Sequence, residues 1–379
     1  MLRHALTIND LPLFVEVSKR PNNPGNLPDV FPFHLGIEDS TCSIRQIGTP
    51  ELTALLGEVY EYGSTVGNAM DDSGAGRNYA EDFLTFVNES IPQASRVLEI
   101  GAGRGYLVKR MIESGHRVDA LEPGKAQSGF WKKYGVSIIP EMFPSEKAPG
   151  PYDAIVFYGV LEHISELDSF LSEVRSHLAE GGRAVLSVPD SSIELENGDP
   201  SILLHEHFQY FSQSSLTRVL NANGLRVASM RNSGFGRCIY ASVVQDDGVA
   251  MSPVDGRERE TIEIYPLRVI AARESVGILV DKVQRENRTL GIYCPGRALS
   301  LLPMSMTYRF FDDAPEFLGC YYPPYGASIE DRAMLASNPT DELWIMSRTF
   351  GDKLKEQIVS LGLSMKVRTM DEILGKSGS

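Results

Sequence analysis

Short apolar runs alternate with stretches of helical spacing through the middle of the chain. Between residues 95 and 245, β-rich runs fall at 96–100, 117–121, 154–158, 183–189, 225–230 and 238–244, separated by helical segments such as 106–114 and 166–178. Runs this short and rich in Val, Ile, Leu and Tyr read as buried strands. Their alternation with helices predicts a parallel sheet covered on both faces, a doubly wound α/β domain. Ahead of it, 1–93 lacks a sustained period and holds Pro21, Pro24, Pro28 and Pro32, so an irregular, turn-rich N-terminal lobe is expected. That lobe ends in a helix over 78–87, where Tyr79, Phe83, Phe86 and Val87 share a face. Behind the central domain, polar 245–260 with Gly248, Pro253 and Gly256 reads as a linker, and a long helix is expected from Pro266 to about 286. Strand-like 289–293, 308–311 and 343–346, with helical 350–361, then predict a smaller C-terminal α/β lobe. The expected domains are therefore 1–93, 94–245 and 246–379.

Composition narrows the partners. A formal net charge of -14 repels a phosphate backbone, so a small-molecule substrate is expected and nucleic acid is not. No apolar run has membrane-spanning length, and the apolar start soon meets Asn9 and Asp10, so neither a membrane span nor a signal peptide is expected and a cytoplasmic location is. Cys42, Cys238, Cys294 and Cys320 show no CxxC spacing, so no zinc ribbon or disulfide framework is signalled.

The chemistry gathers at the end of the first strand of the central domain. Val97-Leu98-Glu99-Ile100-Gly101-Ala102-Gly103-Arg104-Gly105 joins a strand to a helix, and its glycines let backbone amides approach a ligand where a Cβ would collide. A GxG turn also opens the dinucleotide fingerprint, but here the third glycine, Gly105, comes one residue early for that pattern. Glu99 stands two residues before the first glycine. A carboxylate there balances the ammonium and sulfonium of S-adenosylmethionine and would repel a pyrophosphate. After the next strand, Glu122-Pro123 offers a carboxylate able to accept both hydroxyls of a ribose.

Strand, E-x-G-x-G-x-G, helix and then E-P after the second strand resembles the class I S-adenosylmethionine-dependent methyltransferases over roughly 95–245, which implies a Rossmann-like domain. Phe157-Tyr158-Gly159-Val160-Leu161-Glu162-His163-Ile164 resembles the family's segment after the fourth strand, and Leu178-Ala179-Glu180-Gly181-Gly182-Arg183 its turn before the fifth. The resemblance implies that Glu99, Gly101, Ala102, Gly103, Gly105, Glu122 and Pro123 hold the cofactor, with Tyr158, Gly159 and Val160 on its methionine side. Met142 and Phe143 would then cover its adenine.

Methyl transfer is an in-line displacement, so the protein positions the acceptor and, for a hydroxyl or carbon acid, removes a proton. Base candidates cluster in His205-Glu206-His207-Phe208-Gln209-Tyr210-Phe211, ahead of a helix over 213–222 capped by Ser212, with His163 as the other candidate. Tyr210 and Phe211 are expected to pack the core. His205, Glu206 and His207 lack a third distant ligand, so no metal is expected. This stretch, with Arg309-Phe310-Phe311-Asp312-Asp313-Ala314-Pro315-Glu316 and the N-terminal Tyr60-Glu61-Tyr62-Gly63-Ser64-Thr65, resembles the sugar C-methyltransferase family, which acts on nucleotide-linked deoxyketosugars. That resemblance implies His207 as base or proton relay, Glu206 as its neighbour, and Tyr62 and His163 as substrate-side groups. Three features differ from that family: Cys42 stands alone where its members bind zinc through cysteines, Leu204 replaces a tyrosine, and Tyr293-Cys294-Pro295-Gly296-Arg297-Ala298 replaces a glycine-rich turn. Two other readings stay open: a scaffold holding cofactor as a structural ligand only, and a nucleotide-dependent dehydrogenase, which the glycine spacing disfavours.

Overall fold

The computed structural model describes residues 1–375 except Glu16, Pro24, Asn26, 62–69, 125–126, Gly236, Ser305 and 348–349. The chain forms two compact units, each assembled from separate stretches. The first takes Met1–Ala5, Leu35–Ile193 and Glu206–Ile262; the second takes Leu6–His34, Glu194–His205 and everything from Glu263 onward. These units cut across the three consecutive segments read from composition, because Leu6–His34 and Glu194–His205 belong with the C-terminal unit.

The first unit is built on a six-stranded sheet in the order Arg117–Leu121, Arg96–Ile100, Tyr152–Tyr158, Leu178–Pro189, Cys238–Gln245, Leu225–Asn232. The first four strands run parallel, and Cys238–Gln245 is antiparallel to both its neighbours. All six expected strands are present, the fourth beginning earlier than its apolar run, at Leu178. Both faces are buried, as a mostly parallel sheet requires. Leu98, Ile155 and Leu186 pack on one face against Leu167, Phe170, Leu171 and Val174 of the helix Leu167–His177. Their chain neighbours Val97, Val156 and Val185 pack on the other against Phe83, Leu84, Phe86 and Val87 of the helix Gly74–Ser90. The chain leaves Arg96–Ile100 for one neighbour, Arg117–Leu121, and later returns to form the other, Tyr152–Tyr158. The carboxyl ends of these strands therefore flank the crevice where doubly wound sheets bind ligands.

The N-terminal region carries regular structure that its sequence does not announce: strands Leu2–Pro12, Val30–Glu38 and Ser43–Gln46 and the helix Pro50–Glu61. Half of the positions in the first two strands are half-buried, in consecutive runs that do not alternate, so no polar–apolar alternation marks them. Within the first unit, Ser43–Gln46 pairs antiparallel with the end of the preceding strand and, through Ile44 and Arg45, with Tyr210 and Gln209. The helix expected from Pro266 begins instead at Gly256 and runs to Arg285 with Pro266 inside it. A proline there lacks the bond to the carbonyl of Ile262 and its ring crowds that carbonyl, a local cost that the rest of this 30-residue helix outweighs.

The second unit has its own six-stranded sheet in the order Tyr321–Tyr322, Ala327–Glu330, Arg309–Phe311, Leu290–Tyr293, Glu342–Ile345, Lys366–Thr369. It is parallel apart from the edge strand Tyr321–Tyr322. Leu290, Ile292, Phe310 and Trp344 fill one face with Val276, Val280 and Val283 of the long helix. This is the smaller α/β lobe that the sequence pattern predicts.

Candidate active site

The glycine turn sits at the tip of Arg96–Ile100, laced to the next strand by the amides of Gly101 and Ala102, which donate to the Leu121 carbonyl at 2.8 and 3.0 Å. Gly101, Gly103 and Gly105 all take positive φ, 74°, 50° and 79°, where a side chain is disfavoured. They differ in what a side chain would meet. A Cβ on Gly101 would lie 2.6 Å from Val160 Cγ2, and one on Gly105 would lie 2.9 Å from both Ile138 and Val136. A Cβ on Gly103 would meet nothing within 4 Å. The outer glycines thus let the turn close on the body of the domain, while the middle one opens onto free space. Gly101→Ala is expected to lower stability by about 1–3 kcal/mol, seen as a lower urea midpoint at constant slope. An unchanged midpoint would mean that Val160 yields without cost.

Two carboxylates face this turn in different states. Glu122 is satisfied by backbone: Oε2 accepts from the Gly103 amide at 2.8 Å and Oε1 from the Gly124 amide at 2.7 Å. Each oxygen keeps a further lone pair, so ribose hydroxyls can be accepted without breaking these bonds. Pro123 beside it is exposed. Glu99 is 3% exposed, and its Oε2 has no hydrogen-bond partner. Burial lifts its pKa well above the ordinary carboxyl range, and the nearby charge of Glu122 pushes the same way. A buried carboxyl with one orphaned oxygen, on the strand that leads into the open backbone cradle, fits a cationic ligand, which would supply the missing partner.

Further groups hold the turn. Trp131 Nε1 donates to the Gly103 carbonyl at 2.8 Å. Arg104 pairs with Asp71, which also accepts from the Tyr134 hydroxyl. Burial opposes ionisation of Asp71, but the hydrogen bonds from Tyr134 and Asp72 and the Arg104 charge outweigh it and hold its carboxyl down at about 2. The sequence reading missed this cluster, because Asp71 lies outside any motif and meets Arg104 only through the fold.

On the other side of the crevice, Gly159 (φ 65°) donates its amide to Ser187 O at 3.0 Å, and Val160 precedes the single turn Leu161–His163. Tyr158 and Phe143 both send their rings into side-chain packing. The Tyr158 ring packs edge-on against Phe83 at 5.2 Å with its hydroxyl 3.9 Å from Cys238 Sγ, and burial pushes its phenol far up, so it serves the core beneath the helix Gly74–Ser90. Phe143 packs against Phe170 and His177 at 5.7 and 5.1 Å, while its neighbour Met142 is 67% exposed. Ala102 is buried among Val108, Ala120 and Ile138.

The fold separates the two histidines of the HEH stretch. His205 belongs to the second unit, where its ring lies against Phe31 and Phe33 and burial holds its imidazole down at about 4. Glu206 and His207 belong to the first unit and are buried. His207 stands at right angles to His163, ring centres 4.8 Å apart, and His163 Nδ1 bonds the Glu206 carbonyl at 2.9 Å. Glu162 joins them: ligand atoms of Glu162, His163 and His207 all lie within 4.8 Å of one another. The distant partner that the HEH stretch lacks in sequence is thus supplied by the Val160–His163 region. Tyr210 and Phe211 are core groups, as expected. Tyr62 lies outside the described residues.

Residues 74–230 match the family model described as a methyltransferase domain. The segment that carries the glycine turn and the Glu162–His163–His207 group is therefore similar to methyltransferase domains. Domains of this class use S-adenosylmethionine, and Glu99, Gly103 and Glu122 are the groups here whose chemistry fits it. The chain is similar to the C-methyltransferase NovU of Streptomyces niveus, 30% identical over 143 residues covering 36% of this chain and 34% of that protein. It is also similar to the ubiquinone biosynthesis O-methyltransferase of Aeromonas salmonicida (strain A449), 26% identical over 36% of this chain and 64% of the relative. The match thus spans about a third of the first relative and under two thirds of the second. Among solved structures, the Burkholderia thailandensis 1,6-didemethyltoxoflavin-N1-methyltransferase matches with a TM-score of 0.40 at 16% identity, over 60% of this chain and 100% of that one. No helix among the described residues is long and apolar enough to cross a membrane.

Proposed function

We propose that this chain transfers a methyl group from S-adenosylmethionine to a nucleotide-linked sugar, with transfer to carbon favoured over oxygen and His207 taking the acceptor's proton. The observation that carries the donor assignment is the buried, unpartnered Glu99 Oε2 beside the open Gly103. When bound, S-adenosylmethionine supplies an electrophilic methyl carbon on a sulfonium. Glu99 neutralises positive charge, Gly103 admits close approach, and Glu122 orients the ribose. His207, beside His163 near the tip of Tyr152–Tyr158, is suited to receive a proton from an acceptor held there, and Glu206 fixes the His163 ring through its backbone carbonyl. The sugar acceptor is supported by the HEH resemblance, and transfer to carbon also by the name of the Streptomyces niveus relative. The four cysteines carry no disulfide, which suits the reducing cytoplasm. Single-turnover reactions with methyl-labelled donor and a panel of nucleoside-diphosphate sugars test this, because NMR separates a carbon-bound from an oxygen-bound methyl. No labelled sugar across a panel that includes ketosugars would remove the acceptor assignment.

Donor binding should also depend on pH in a defined direction. Free Glu99 carries a raised pKa, and a cation beside it lowers that pKa, so binding releases a proton. Affinity should therefore rise with pH above the ordinary carboxyl range, at pH values below the titration of an α-amino group near 8. Glu99→Gln should abolish the rise. A wild-type affinity that is flat over this range contradicts the role given to Glu99.

A further inference from the structure

We infer that Glu162, His163 and His207 form a binding site for one divalent transition-metal ion of the zinc class. Two imidazoles and a carboxylate are a donor set that such ions take with one position left open. The ligand atoms lie within 4.8 Å of one another. An ion about 2.1 Å from each requires them about 3.4 Å apart, so closure needs a shift of about an ångström, within reach of small side-chain rotations. The surroundings are arranged for ligation. His163 gives its Nδ1 to the Glu206 carbonyl at 2.9 Å, which fixes the tautomer and the ring's orientation, as metal-bound histidines are commonly held. Glu162 and His207 are each 3% exposed, so an ion there would be shielded from water, and half-buried His163 provides the route in.

The backbone brings these ligands together. The Phe208 amide donates to the Glu162 carbonyl at 2.7 Å, joining the residue after His207 to the segment holding Glu162 and His163. Glu162 Oε1 lies 3.6 Å from where a Cβ on Gly159 would stand, which sets the site beside the donor crevice. An ion here occupies the histidine lone pairs, so methyl transfer falls as the site fills. That consequence rests on the role proposed for His207; the binding itself does not.

Titration of the metal-free full chain with Co²⁺, followed by its visible absorption and by displacement with Zn²⁺, tests the site without any turnover. The inference expects ligand-field bands saturating at one ion per chain, without thiolate charge transfer. Affinity should fall by more than about tenfold in His207→Ala, Glu162→Gln and His163→Gln. His163→Gln alters a half-buried position, so it keeps the test decisive if the buried variants fail to fold by circular dichroism. No bands, a thiolate band, or unchanged affinity in His163→Gln would overturn the inference. Cobalt binding that persists when methyl transfer is not found would leave the site standing and remove only the methyl-transfer reading.

Discussion

Replacing His207 by alanine should slow single-turnover methyl transfer by about 10²- to 10⁴-fold, the usual contribution of a positioned general base, while donor affinity stays within about twofold. The large effect follows from how firmly the ring is held. Gln209 and Tyr210 pair with Arg45 and Ile44, Phe208 is bonded through its amide to Glu162 and through its carbonyl to the Gln46 amide at 2.9 Å, and the Tyr210 hydroxyl donates to the His207 carbonyl at 3.1 Å. The adjacent His163 ring is tied through Nδ1 to the Glu206 carbonyl, so it does not readily replace the lost imidazole. Stopped-flow or quench measurements at saturating donor read the rate directly. A variant that raises KM for the acceptor with an unchanged single-turnover rate would make His207 a binding group and not a base.

Replacing Glu122 by alanine should weaken S-adenosylhomocysteine binding by about 10²- to 10⁴-fold, because two hydrogen bonds to a carboxylate are each worth about 1.5–3 kcal/mol. The same change strips acceptors from the Gly103 and Gly124 amides, so ligand-free stability should drop by about 1–2 kcal/mol. The two effects are separable. A melt without ligand reports the turn, and calorimetry reports the ribose. Were the binding loss no larger than the stability loss, Glu122 would be a brace for the glycine turn with no contact of its own to the ligand.

The central sheet was legible because its strands are buried on both faces and stand out as apolar runs bounded by glycines. The glycine turn was legible because backbone approach leaves a spacing that few other constraints produce. What was hidden depended on long-range packing. The N-terminal strands escaped because half-buried positions blur the alternation. Pro266 suggested a helix start because proline is common there, yet the helix runs through it. Adjacent residues of one motif went to different places, His205 to the second unit and His207 beside His163, which spacing alone does not distinguish. Likewise motif position does not reveal that the Tyr158 ring packs against Phe83 and the Phe143 ring against Phe170 and His177. The Glu162–His163–His207 group joins segments more than 40 residues apart, His163 and Glu206 being separated by 43, and only the fold reveals it.

The whole account turns on a cationic donor bound between Glu99, Gly103 and Glu122, and isothermal titration of the wild-type chain with S-adenosylmethionine, and separately with NAD, tests it most directly. Saturable binding of S-adenosylmethionine at one site, lost in Glu122→Ala and absent for NAD, is the predicted result. Heat from NAD with none from S-adenosylmethionine at millimolar concentration would contradict it.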